Sequence, residues 1–174
     1  YPCGDRGTCV PRSLDQSFTT FTVACRDQDQ NTGQCLQTVN GTTLFTIFYT
    51  SPSTQKNYYL YYDSTANSLA LSTSLRQDGY FTFKVRMCNS KTDDGQCNYT
   101  SADVKNGLVS GSYYYVMYGA KYVSFNADKT LSLVDEDKKD TSVILFKNTQ
   151  GNKIPLASAS GMIYIDYIKR YITI

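Results

Sequence analysis

Six cysteines fall in three close pairs, Cys3/Cys9, Cys25/Cys35 and Cys88/Cys97. Thiols at these spacings close small loops when oxidised, and each pair brackets a turn rich in Gly, Asn or Asp. Three loop-closing disulfides are therefore expected, with Cys25–Cys35 and Cys88–Cys97 the favoured pairs among the several connectivities that six cysteines allow. Zinc fits less well, because no pair has the short C-x-x-C spacing of thiolate sites. Two triplets, Asn40-Gly41-Thr42 and Asn98-Tyr99-Thr100, are acceptors for N-glycans in a secretory pathway, and both are expected in turn-rich stretches beside the disulfides. The chain begins at Tyr1-Pro2 and has no apolar run long enough to span a bilayer. It reads as a processed, soluble, extracellular product with no membrane span.

A second group of candidates is aromatic. Tyr58, Tyr59, Tyr61 and Tyr62 form one cluster, and Tyr113, Tyr114, Tyr115, Tyr118 and Tyr122 another. Alternation along a strand sends half of each cluster outward, where a flat apolar ring with a hydroxyl suits stacking on a sugar or anchoring a protein. Tyr58, Tyr62, Tyr113 and Tyr115 are the candidates for that role. Asp93 and Asp94, in the loop between Cys88 and Cys97, are candidate acceptors, like Asp27 and Asp29 in the earlier loop. The run Asp135-Glu136-Asp137-Lys138-Lys139-Asp140 lacks the Gly and distal Glu of a calcium loop, so a solvated turn is expected there and no metal.

Much chemistry is excluded by composition. The chain has no His and no Trp, which removes Ser-His-Asp and Cys-His triads and His-ligated metals. Carboxylate pairs are the remaining acid–base option, and no Asp lies in a recognisable catalytic motif. Nucleophile elbow, phosphate-cradling glycine loop and paired-Cys redox motif are all missing. The expectation is a protein that is not an enzyme and takes no cofactor. A formal charge of +2 over 174 residues supplies no basic stripe for nucleic acid. No feature fixes an oligomeric state.

These side chains need a scaffold, and the composition points to strands. Asp outnumbers Glu 14 to 1, and Tyr, Phe, Thr and Ser outweigh the helix formers. Phe81, Phe83, Val85 and Met87 alternate with polar neighbours, as a half-buried strand requires. Similar runs at 17–25, 43–50, 57–63, 68–73, 112–118, 121–126, 130–135, 142–147 and 162–168 are punctuated by turn dipeptides. The expectation is an all-β fold: an N-terminal arm at 1–16, pinned by Cys3–Cys9, and one domain at 17–174 of about 10–12 short antiparallel strands. Landmarks recur at an offset near 63. Gly33-Gln34-Cys35 is echoed by Gly95-Gln96-Cys97, Thr20-Phe21-Thr22-Val23 by Thr82-Phe83-Lys84-Val85, and Phe83-Lys84 by Phe146-Lys147.

Three such units resemble the pseudo-threefold β-trefoil, and 122–147 is similar to a trefoil unit of the fascin or interleukin-1 type. A closed lipocalin-like barrel is the alternative fold, although the Gly-x-Trp of typical lipocalins is absent. The expected function is non-catalytic binding of an extracellular protein or glycan through the 25–35 and 88–97 loops and exposed Tyr. The barrel alternative implies a carrier of a small apolar ligand.

Overall fold

Alternating β-branched and aromatic residues build strands throughout. The computed structural model describes residues 21–105, 107–108, 112–126 and 130–147, with strand backbone also at 12–13, 158–165 and 170–171. Its elements are β1 (Arg12–Ser13), β2 (Phe21–Cys25), β3 (Phe45–Thr50), β4 (Asn57–Asp63), β5 (Ser68–Ser72), β6 (Thr82–Lys91) and β7 (Cys97–Asp103). There follow β8 (Tyr113–Tyr118), β9 (Lys121–Phe125), β10 (Leu131–Val134), a 3-10 helix (Glu136–Thr141), β11 (Ile144–Lys147), β12 (Ser158–Ile165) and β13 (Arg170–Tyr171). The protein is all-β and every strand pair is antiparallel.

The ladder runs β10-β9-β8-β11-β12-β2-β3-β4-β5, with the β6–β7 hairpin attached to β8. It is not a continuously closed barrel. Among the described residues the backbones of β3 and β6 are joined only by a bridge between Phe45 and Phe81, the residue before β6, each N–H donating to the other's carbonyl at 2.8 Å. The expected lipocalin-like alternative is thereby corrected: in a meander successive strands pair in turn, whereas here β8 lies against β6 and β11, and β12 against β2.

Strand direction follows from these pairings. β2 and β6 are both antiparallel to β3, and β8 is antiparallel to both β6 and β11, so β2, β6 and β11 all run the same way. Their C-terminal ends share one end of the molecule. β3 and β8 run oppositely and lead into the hairpins β4–β5 and β9–β10, where β5 packs on β10. Between the two ends lies a core of Phe21, Val23, Ile47, Phe83, Val116 and Leu145, joined by the buried faces of both hairpins. The β2/β6 end is plugged by buried Val39, Val104 and Leu108. There the chain after β2 is tied to the chain after β7 by the Asn40–Lys105 bridge and by Gly107 N–H donating to the Val39 carbonyl at 3.2 Å. Gly107 has φ of 110°, open to glycine but strained for other residues, which accounts for the Asn-Gly break.

Two expectations shift. The polar stretch 97–103 is a full strand, so Asn98 lies on β7 and not in a turn, although its side chain is exposed. The acidic run forms a largely exposed 3-10 helix, with no group of metal-ligating side chains among the described residues. Of the predicted N-terminal arm only Arg12–Ser13 is described, paired with β13; Cys3 and Cys9 lie outside the described residues.

Candidate binding surface

The two disulfides form as expected, Cys25–Cys35 and Cys88–Cys97, with Cα atoms 5.6 and 5.3 Å apart. They point to an oxidising compartment. Because β2 and β6 run the same way, the segments they close project from the same end of the fold. Their shared Gly-Gln-Cys tripeptide has a physical basis: Gly33 and Gly95 both adopt positive φ, 72° and 84°. Each turn is then locked by its own Asp. Asp29 Oδ1 accepts the N–H groups of Asn31 at 2.7 Å and Thr32 at 3.0 Å, and Asp94 Oδ1 accepts the Thr92 hydroxyl and the Gln96 N–H. Asp29 N–H donates to the Gln34 carbonyl at 2.8 Å and Thr92 N–H to the Gln96 carbonyl at 2.7 Å, so both loops close alike.

These bonds favour the charged carboxylates. The Thr32 and Asn31 N–H groups hold Asp29 below the usual carboxylate range, and the Thr92 hydroxyl and then the Gln96 N–H do the same for Asp94. A depressed folded-state pKa gives stability that is present above the unfolded value and lost as pH falls through the folded one. Acidification below the ordinary Asp range is therefore expected to loosen both turns before the core. Amide exchange should quicken at Asn31, Thr32 and Gln96 while Ile47 and Val116 stay protected; equal acceleration everywhere would refute turn-specific locking.

The first segment carries a fork-to-fork ion pair. Arg26 donates from Nε to Asp27 Oδ1 at 3.2 Å and from Nη2 to Asp27 Oδ2 at 2.9 Å. The pairing raises the Arg26 pKa and lowers that of Asp27. One cleft of about 360 Å3 opens on the outer face of β2, β3 and β4, bounded by Arg26, Gln28, Thr46, Phe48, Tyr59 and Leu75. A second, of about 240 Å3, lies across the ion pair and presents Asp27, Gln37, Thr38, Asn40 and Thr42. Leu36 and Leu75 are large apolar side chains left 60% and 49% exposed.

The second segment is the β6–β7 hairpin. Arg86 stacks over the Tyr99 ring, 3.4 Å from its centroid, bracing the hairpin across its strands. Asp93 and Asp94 sit exposed near its tip. Asn98 and Thr100, two apart on a strand, share a face, and both are exposed. At the other acceptor triplet, Asn40 Oδ1 accepts the Thr42 N–H and the Thr42 hydroxyl, both at 2.8 Å.

The tyrosine candidates separate. Tyr113 is 47% exposed. Tyr58 and Tyr62 are half-buried against the core, with Tyr62 packed 5.3 Å from Tyr118 and its hydroxyl donating to Asn67. Tyr115 is corrected outright: it is 1% exposed, in a second small apolar cluster with Met117, Tyr122 and Ile144. Alternation puts it off the main core, as expected. The hairpin then covers that face, with the Tyr122 hydroxyl donating to Ser101 on β7. Burial pushes the Tyr115 phenol up, with the Arg86 guanidinium acting against that shift. Sequence reasoning missed Phe48, Tyr59 and Leu75 as cleft residues. The only advance signal was that Phe48 shares strand parity with Thr46, and parity does not reveal which loop walls a face.

Comparison of the chain with protein-family models, curated proteins and solved structures finds no match.

Proposed function

We propose that this chain is a secreted, N-glycosylated β-trefoil whose role is non-catalytic binding of an extracellular protein or glycan at the end bearing the two disulfide-closed segments. The observation that carries the reading is the common direction of β2 and β6, which brings two similarly locked loops to one end. Rigid loops lose little entropy on binding, so they hold a contact surface at low cost. The trefoil reading draws support from the ring β2-β3-β6-β8-β11-β12, joined at its weakest seam by the Phe45–Phe81 bridge, and from the 63-residue offset between the disulfides' first cysteines. The packed core and the Val39/Val104/Leu108 plug favour a surface role over an interior carrier.

The test is to probe an extracellular-protein array and a glycan array with the parent protein and with a variant carrying Arg26→Glu, Asp27→Lys, Asp93→Lys and Asp94→Lys. All four positions are exposed and outside the core, so the fold should persist by circular dichroism. Binding should fall at least tenfold. Undiminished binding would overturn the proposal.

A further inference from the structure

The two clefts that meet at Arg26 differ in character, and that difference narrows the ligand class. The larger has its floor on the outer face of three strands. Register places Ala24 beside Thr46, and Phe48 beside both Thr22 and Tyr59. Ala24 and Thr46 are small, so the floor dips between the Phe48/Tyr59 ring pair, with centroids 5.1 Å apart, and the chain at Arg26 to Gln28. Both are nearly buried although they face away from the core, at 8% and 5% exposure. Leu75, from the β5–β6 connection, forms an apolar wall. Across the ion pair the smaller cleft is the more polar of the two, mixing hydroxyls and amides from Gln37, Thr38 and Thr42 with apolar surface from Cys35 and Leu44.

We infer that these adjoining clefts bind a neutral oligosaccharide, one sugar against the aromatic floor and its neighbour in the polar cleft; this rests on the binding role proposed above. Three features select that class. A hexose presents an apolar C–H face, which lies well on an aromatic ring, and an edge of hydroxyls that both donate and accept. The Arg26–Asp27 pair matches that edge, offering guanidinium donors beside carboxylate acceptors with no net charge. A charged ligand would have to compete with the partner that each ion already holds. Each cleft is too small for a folded protein segment, and the larger is in the usual range for a small-molecule site with a few convergent polar groups on an apolar lining.

Asn40 lines the polar cleft, so the same sugar chemistry could come from the protein's own glycan. The test therefore uses the full chain carrying Asn40→Gln. Cellobiose, maltose, lactose and N,N′-diacetylchitobiose are titrated to millimolar concentration and followed by calorimetry and by amide shifts of Gln28, Thr46 and Tyr59. At least one disaccharide should bind, with affinity falling tenfold or more in Tyr59→Ala and in Arg26→Ala and staying within twofold in Lys121→Ala at the opposite end. Binding by none of the four, or binding indifferent to Tyr59 and Arg26, overturns the inference. Retention of loop-dependent binding on the protein array alone would sink the saccharide site and leave the broader binding role standing. Loss of loop dependence on both arrays would remove that role itself.

Discussion

Phe81→Ala is expected to lower stability by about 3–5 kcal/mol, the range for truncating a buried Phe. The ring is fully buried and meets Tyr118 edge-on at 5.8 Å. It sits at the only backbone bridge between β3 and β6, where Phe45 in turn lies 5.2 Å from Phe83. Truncation leaves the two bridge hydrogen bonds in place but empties the space beside them. The cost has two parts, the lost transfer of the ring from water and a cavity that the strands cannot close, because β3 is held by β2 and β6 by β8. For a chain of this size each kcal/mol lowers Tm by roughly 2–4 °C, so a drop of about 6–20 °C should be seen in a thermal melt. Lys121→Ala, which removes only an exposed ion pair with Asp135, should stay within about 0.5 kcal/mol. Urea unfolding of the three proteins measures both. A loss under about 1 kcal/mol for Phe81→Ala would mean that the seam contributes little to the core.

The second large effect distinguishes the two disulfides. Their sequence separations, 10 and 9, are nearly equal, so restriction of the unfolded chain gives each about 2–3 kcal/mol. Their surroundings differ. Cys25 is 2% exposed within the main core and Cys35 packs against it, whereas Cys88 is exposed on a hairpin already held by the β6–β7 ladder. Replacing Cys25 and Cys35 by Ser adds a hydroxyl in an apolar setting, worth about 1–3 kcal/mol more when it finds no partner. The Cys25→Ser/Cys35→Ser protein should therefore lose about 4 kcal/mol and the Cys88→Ser/Cys97→Ser protein about 2. Equal losses in denaturant titrations would show that burial at Cys25 is not the deciding factor.

Most strands were legible because burial on one face imposes a period of two. The run at 57–63 coincides with β4 as expected, and those at 112–118 and 121–126 exceed β8 and β9 by one residue at one end. β7 was invisible for the opposite reason: Asn98, Thr100 and Asp103 are exposed, and the strand is held by backbone pairing to β6, which leaves no mark in hydrophobicity. The Cys25–Cys35 and Cys88–Cys97 pairs were readable from spacing alone, since local closure needs only a turn. Tyr115 failed because alternation identifies which face a ring is on but not what lies over that face. The Phe48/Tyr59/Leu75 cleft was missed for a related reason, as it joins two neighbouring strands to a loop that follows the next hairpin.

The pairing of β2 with β12 sets an order on maturation. That ladder joins segments near opposite ends of the described chain, and such contacts form late because much chain must be ordered before they give any return. The two disulfides need only neighbours about ten residues away. In an oxidising lumen they can close on the nascent chain while β12 is still unmade, so Cys25 would be committed to Cys35 before the core that buries it exists. Docking of β12 would then act as a late check on an early oxidation: a chain mispaired at Cys25 would present β2 in the wrong shape to its last and most distant partner, and the defect would be revealed only when β12 tried to dock.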